Sequence, residues 1–199
     1  GTNLCTDVAT GTTVNSVNAP TTCQNNPGVR ETAWNGSGGG YSKVFARPAY
    51  QDTLPAGSSS IPKTARGVQD ISMDASCSTW VVVLDTAPGF GGYFGVCGTS
   101  ASSPMFAGLV AIADQMAGHN LGAINGALYQ IANTPSYSTD MFDVTVGNHV
   151  QAGTGIPVDP DGPGGDAVTA PGTPNAATLA PGLPAARRPG APTPPHPPP

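Results

Sequence analysis

The sequence predicts an α/β fold, a parallel sheet with flanking helices, followed by an extended Pro-rich tail. Short β-branched apolar runs at residues 68–73 and 80–84 have the composition of strands buried on both faces of a parallel sheet. Apolar residues at Met105, Leu109, Ile112 and Met116 recur at helical spacing. Of 22 prolines, 9 fall in residues 181–199, which places a domain at 1–180 and an extended, solvated tail beyond it.

In chain order, residues 1–40 are rich in Thr, Asn and Gly and read as strands and loops, with a turn at Asn26-Pro27-Gly28. Residues 44–61, with Arg47-Pro48 and a Pro/Gly/Ser loop, read as a surface excursion before the core strands. The helix after Cys97 carries Ser and Pro at its start and Gly118 at its end. A second helical pattern, Leu121, Ile124, Leu128 and Ile131, stops before Pro135, and residues 142–173 are Asp- and Gly-rich.

Composition excludes several classes of function. Seven Lys and Arg in 199 residues, with a net charge of −5, leave no basic stripe for nucleic acid or an anionic membrane surface. The longest apolar stretch, residues 105–113, is far short of the roughly 20 residues that cross a bilayer. The opening Gly1-Thr2-Asn3 shows no signal-peptide pattern and reads as a mature chain or a cut piece. Four cysteines without C-x-x-C spacing point away from zinc. Pairing Cys5 with Cys23 and Cys77 with Cys97 closes the shortest loops, each worth ~3 kcal/mol, and four buried thiols are the alternative. Even cysteine number and scarce Lys favour an oxidising, secreted setting.

Ser100 stands between Gly98-Thr99 and the start of the predicted helix. Its hydroxyl would project from a tight turn toward helix N-terminal amides, which is nucleophile geometry, and the same placement also describes a plain N-cap. The wider run Gly98-Thr99-Ser100-Ala101-Ser102-Ser103-Pro104 resembles the Ser motif of the sedolisins, serine-carboxyl peptidases of subtilisin-like fold. Further blocks resemble that family in the same order: Glu31-Thr32-Ala33-Trp34-Asn35, Ser37-Gly38-Gly39-Gly40-Tyr41-Ser42, Arg47-Pro48-Ala49-Tyr50-Gln51, and Arg66-Gly67-Val68-Gln69-Asp70-Ile71-Ser72-Met73-Asp74-Ala75. The resemblance covers about residues 1–179 and implies the C-terminal part of a catalytic domain, with Ser100 as nucleophile toward a peptide or protein substrate at acidic pH.

The resemblance also implies a Ca2+ site at Asp143, Val144, Gly162, Gly164 and Asp166, where side-chain and backbone oxygens suit a hard cation. Gly165 replaces an aromatic residue of relatives, and Thr169-Ala170-Pro171-Gly172 replaces Thr-Gly-x-Gly. Sedolisins activate their Ser with a Glu and an Asp one helical turn apart and complete the oxyanion hole with another Asp. Here the only Glu is Glu31, whose i+4 neighbour is Asn35, and the only Gly-Asp step is Gly165-Asp166 in the implied calcium loop. Asp70 and Asp74 flank an alternating strand pattern that the resemblance makes structural. His119, His149 and His196 sit in no His motif and read as surface residues. The expectation is therefore a peptidase portion lacking its carboxylate partners, the missing N-terminal half being one partner it would need. The alternative is a non-catalytic, calcium-stabilised secreted module in which Ser100 only caps a helix.

Overall fold

The computed structural model of the chain describes residues 1–6, 20–53, 64–147 and 169–186. Its centre is a narrow backbone array. β1 (Thr2–Leu4) pairs antiparallel with β2 (Glu31–Ala33), Thr2 opposite Ala33 and Leu4 opposite Glu31. Along its other edge β1 forms a parallel bridge to Asp74. Thr2 N–H donates to the Met73 carbonyl at 2.9 Å, and Ala75 N–H donates to the Thr2 carbonyl at 2.9 Å. Between β1 and β2 lies α1 (Thr21–Asn25), a short helix in a stretch whose composition reads as strand and loop. It seats Cys23 for the disulfide to Cys5, and Cys77 pairs with Cys97, as the loop arithmetic anticipates.

The expected parallel sheet is represented, among the described residues, only by that single bridge. The named strands pair in four two-stranded antiparallel sheets. β3 (Gly40–Ala46) pairs with β4 (Ala65–Val68), so only Val68 of the run 68–73 lies in a strand. β5 (Val81–Asp85) folds back on β6 (Gly92–Val96), with Val81 opposite Val96 and Asp85 opposite Gly92. The reason is local: the Pro88-Gly89 turn, with Asp85 Oδ1 accepting from Ala87 N–H at 2.8 Å, closes the two strands against each other. Val82, at 63% exposure, and Tyr93, at 76%, are open to solvent rather than buried between layers. The remaining sheet joins β7 (Met141–Phe142) to β8 (Thr173–Pro174).

The helices form the apolar core. α2 (Thr99–Ala117) ends, as predicted, at Gly118 in the left-handed conformation, and it begins five residues before Pro104. Its buried face is Ala101, Leu109 and Ala113, spaced by multiples of four. Ile112 and Met116, expected on that stripe, are exposed. α3 (Asn125–Ala132) begins beyond Leu121, which is buried in the preceding loop. α4 (Tyr137–Asp140) leads into β7, and α5 (Ala176–Ala186) packs on α2 and α3. Leu109, Leu121, Leu128, Ile131, Leu179 and Leu183 fill the interior between them. α5 runs through Pro181 and Pro184 with Leu183 fully buried, so six residues of the expected tail are helical; residues 187–199 lie outside the described residues.

Residues 44–53 are mostly exposed, as a surface excursion should be, but one of them is an inward anchor. The 3-10 turn Ala49–Thr53 buries Gln51 completely. Gln51 Nε2 donates to the Gly67 carbonyl at 2.8 Å and to the Tyr129 hydroxyl at 3.0 Å, while its Oε1 accepts from Gly67 N–H at 2.9 Å. Tyr129 in turn donates to Asp70 Oδ1 at 2.9 Å, and Asn125 Nδ2 donates to Asp70 Oδ2 at 2.7 Å. Arg66 pairs with the same carboxylate. Burial first, and then the Asp70 charge, push the Tyr129 phenol well above its ordinary range, so it stays a donor. Each of these polar groups is satisfied by the others, which is what permits them inside the fold.

The segment entering β8 contains both a residue that must be glycine and one that would be better as glycine. At Gly172, φ is 118° and a Cβ would lie 2.1 Å from the Phe142 carbonyl oxygen, so no side chain fits. Ala170 sits at φ 56° and is buried. A left-handed L-residue costs roughly 1–2 kcal/mol, and glycine's extra unfolded-state entropy returns about half of that. Ala170→Gly is therefore expected to raise unfolding stability by about 0.5–1 kcal/mol in urea titrations.

Candidate functional site

The central array positions Ser100. Its outer member is Gly98, whose N–H donates to the Ala75 carbonyl at 2.6 Å. Gly98 has φ 91°, a conformation glycine adopts freely, and this turn sends the chain from β6 into α2. The Gly98 carbonyl accepts from Ala101 N–H at 2.8 Å, closing the first turn. Ser100 is therefore the second residue of a 19-residue helix and is exposed. The amides of Thr99 and Ser100 precede the first intrahelical bonds and face outward with the positive end of the helix dipole. Pro104, four residues on, has no N–H to offer the Ser100 carbonyl.

One residue that the motif alone does not single out fixes this geometry. The Ser102 hydroxyl reaches back to the array, with the Asp74 carbonyl at 2.8 Å and the Met73 carbonyl at 3.2 Å. The helix start is thus tied to residues 73–75 from both its backbone and its side chain. Beside it a cleft of about 340 Å³ opens between Asp70, Ser72, Ser103, Phe106 and Asn125. Among the described residues no carboxylate or imidazole bonds the Ser100 hydroxyl. Asp70 is engaged by Tyr129, Asn125 and Arg66, and Asp74 Oδ1 accepts the Thr79 hydroxyl at 2.6 Å.

Several proteins similar to this chain are peptidases by name. Kumamolisin of Bacillus sp. (strain MN-32) is 34% identical over 155 residues, covering 73% of this chain and 26% of kumamolisin. Tripeptidyl-peptidase 1 of Mus musculus is 35% identical over 159 residues, covering 70% of this chain and 26% of the enzyme. The solved structure of Pseudomonas sedolisin, a serine-carboxyl proteinase complexed with two molecules of pseudo-iodotyrostatin, matches 90% of this chain and 44% of its own. The TM-score is 0.66 at 28% identity. The chain belongs to the sedolisin family. No protein-family model matches it. The chain spans about a quarter of the length of the curated relatives it matches.

Within this sedolisin chain, two of the five implied calcium ligands are described. Asp143 follows β7 directly and is half-buried, and Val144 is fully buried. The pairing of Phe142 with Thr173 draws together the two ends of the segment that carries all five residues. Gly162, Gly164 and Asp166 lie outside the described residues. Among the described residues no three His, Cys, Asp or Glu side chains gather as a metal site, and no helix is long and apolar enough to cross a membrane. His119 is exposed, while His149 and His196 lie outside the described residues.

Glu31 is the acid whose setting the sequence does not reveal. It lies in β2 at 4% exposure. Oε1 accepts the Thr173 hydroxyl at 3.1 Å and stands 3.8 Å from Arg30 Nε. The Thr2 hydroxyl, fully buried in β1, is a further hydrogen-bonding neighbour of the carboxyl. Desolvation raises the Glu31 pKa above its ordinary 4.5; Thr173, Arg30 and Thr2 oppose the rise, and Asp74 adds to it. Desolvation also raises Asp74 above 3.8, against the hydrogen bonds from Thr79 and neighbouring amides. A carboxyl whose pKa is raised by folding holds its proton more tightly when native. Its contribution is fully present below the unfolded value and is lost as pH rises through the native one. The Glu31 and Asp74 contributions are therefore expected to favour the fold more in acid than at neutrality. Glu31→Gln should gain on the parent in urea midpoint as pH goes from about 4 to about 7. Parallel pH profiles of the two proteins would show that Glu31 does not titrate in this way.

Proposed function

We propose that this chain is the nucleophile-bearing portion of a secreted sedolisin-like serine endopeptidase that works in acid. The observation that carries the reading is the placement of Ser100: exposed, second in α2, and held by the Gly98 and Ser102 contacts to residues 73–75. In the reaction, Ser100 Oγ attacks the scissile carbonyl, its proton passes to a base, and the base returns that proton to the departing nitrogen as the C–N bond breaks, leaving an acyl-enzyme and a free amine. The Ser100 and Thr99 amides are placed to hold negative charge developing on the carbonyl oxygen. The base, and the further acid of the oxyanion hole, would come from sequence outside this chain, because Glu31 and Asp74 are occupied elsewhere. Carboxylate bases suit acidic conditions, in which imidazole would be protonated. A Ca2+ held by Asp143, Val144, Gly162, Gly164 and Asp166 would clamp the loop between β7 and β8 and supply no step of the chemistry.

The absence of a described acid or base bonded to Ser100 favours one other reading, a non-catalytic calcium-stabilised module. Fluorophosphonate labelling separates the two. A missing general base costs about 10²–10⁴-fold, so slow labelling at Ser100 that Ser100→Ala abolishes is expected of the peptidase portion. No labelling of the parent chain above the Ser100→Ala background would favour the module. For the metal, calorimetric titration with Ca2+ is expected to show binding that Asp166→Ala weakens by at least tenfold. Equal affinities would remove Asp166 from the site.

A further inference from the structure

The two disulfides differ in setting. Cys5 and Cys23 are buried, at 3% and 7% exposure. Cys77 is exposed and Cys97 half-buried. Burial shields a bridge from an attacking thiol, whereas exposed bridges are the labile and regulatory ones. The Cys77–Cys97 bridge also sits at the joint that positions Ser100. Cys97 immediately precedes Gly98, and Cys77 lies two residues beyond Ala75. The bridge therefore staples the two chain segments that meet where Gly98 N–H donates to the Ala75 carbonyl.

That joint needs a tie. β5 and β6 pack chiefly on each other and most of their residues are exposed, so the ribbon is a lever held mainly at its base. It enters α2 through Gly98, whose φ of 91° lies where glycine moves freely, and Ser100 follows two positions on. Motion of the ribbon would reach Ser100 through that glycine unless Cys97 is fixed, and the covalent link to Cys77 fixes it. The Ser102 hydroxyl holds the helix start from its other side, on the Met73 and Asp74 carbonyls. Opening the bridge would thus loosen the turn without releasing the helix.

We propose that the Cys77–Cys97 bridge is a redox control on Ser100, which holds the nucleophile in place when oxidised and lowers its reactivity when reduced. This rests on the peptidase reading above. The reductant is a dithiol. One of its thiolates attacks the Cys77 sulfur, the Cys97 thiolate leaves, and the second thiol of the reductant then displaces the Cys77 sulfur. The chain gains two electrons and two protons and ends as two thiols, while the reductant ends as its disulfide. Exchange needs a thiolate, so it proceeds near neutrality and all but stops in acid. A redox state set before the chain meets acid is therefore kept under the conditions of the reaction.

The test takes this chain through graded dithiothreitol, with alkylation and peptide mass mapping of a sample at each step to identify the bridge that opens. Cys77–Cys97 is expected to open first. After desalting, the selectively reduced chain should label with fluorophosphonate at Ser100 about tenfold more slowly than the oxidised chain, and reoxidation should restore the rate. Amide exchange of Gly98 should quicken by about tenfold, while Leu109 and Ala113 in the middle of α2 stay unchanged; a general loss of structure would move all three. Cys77→Ser combined with Cys97→Ser should match the reduced chain. Equal labelling of the two redox states, an unmoved Gly98 amide, or earlier opening of Cys5–Cys23 overturns the proposal. If the oxidised chain does not label at all, the peptidase reading fails and control of reactivity falls with it, while the Gly98 amide still decides whether the bridge ties the turn.

Discussion

Everything that positions Ser100 depends on the bare backbone of residues 73–75. That segment takes β1 on one side through two hydrogen bonds to Thr2 and takes Gly98 on the other. It also receives the Ser102 hydroxyl on its carbonyls. A peptide backbone makes such bonds in fixed directions and at fixed spacing, so the direction in which α2 starts is set by the line of β1 rather than by side-chain packing. The apolar cluster around Leu109, Leu128 and Leu179 secures the far part of the same helix. Register comes from the array, and cohesion from the core.

Much of this was legible in the residues. The three-and-four spacing from Met105 and the closing Gly118 define α2, since a helix repeat and a left-handed terminator are properties of the local chain. Both disulfides follow the shortest loops. The ordered blocks around Glu31, Arg47, Arg66 and Gly98 lead to the family that the relatives establish. What escaped was whatever depends on distant partners. The run at residues 80–84 is as apolar as a buried strand, but burial is decided by what packs on it, and here the Pro88-Gly89 turn pairs it with β6 in the open. Gln51 looked like a loop residue because the groups that bury it, Gly67 and Tyr129, are 16 and 78 positions away. The setting of Glu31 was hidden likewise, since its partner Thr173 is 142 residues distant.

The acids of the chain divide according to their surroundings. Asp70 is ringed by donors and serves as a structural hub, whereas for Glu31 desolvation outweighs its neighbours. Burial thus makes Glu31 a group that holds its proton above the ordinary carboxyl range. An under-solvated carboxyl is inexpensive to bury while it is neutral.

The β5–β6 ribbon bears on how the molecule behaves in company. Two strands have two free edges, and this pair shows Val82, Leu84, Tyr93 and Phe94 to solvent with scarcely a charge among them. Natural sheets usually guard such edges with lysine, proline or a covering segment. The Cys77–Cys97 bridge ties the two ends of the ribbon at its base, so it cannot easily unravel. Self-association at high concentration would then begin as edge-to-edge addition of intact ribbons, with the helical core still folded, and oxidising conditions would preserve the adhesive surface rather than remove it.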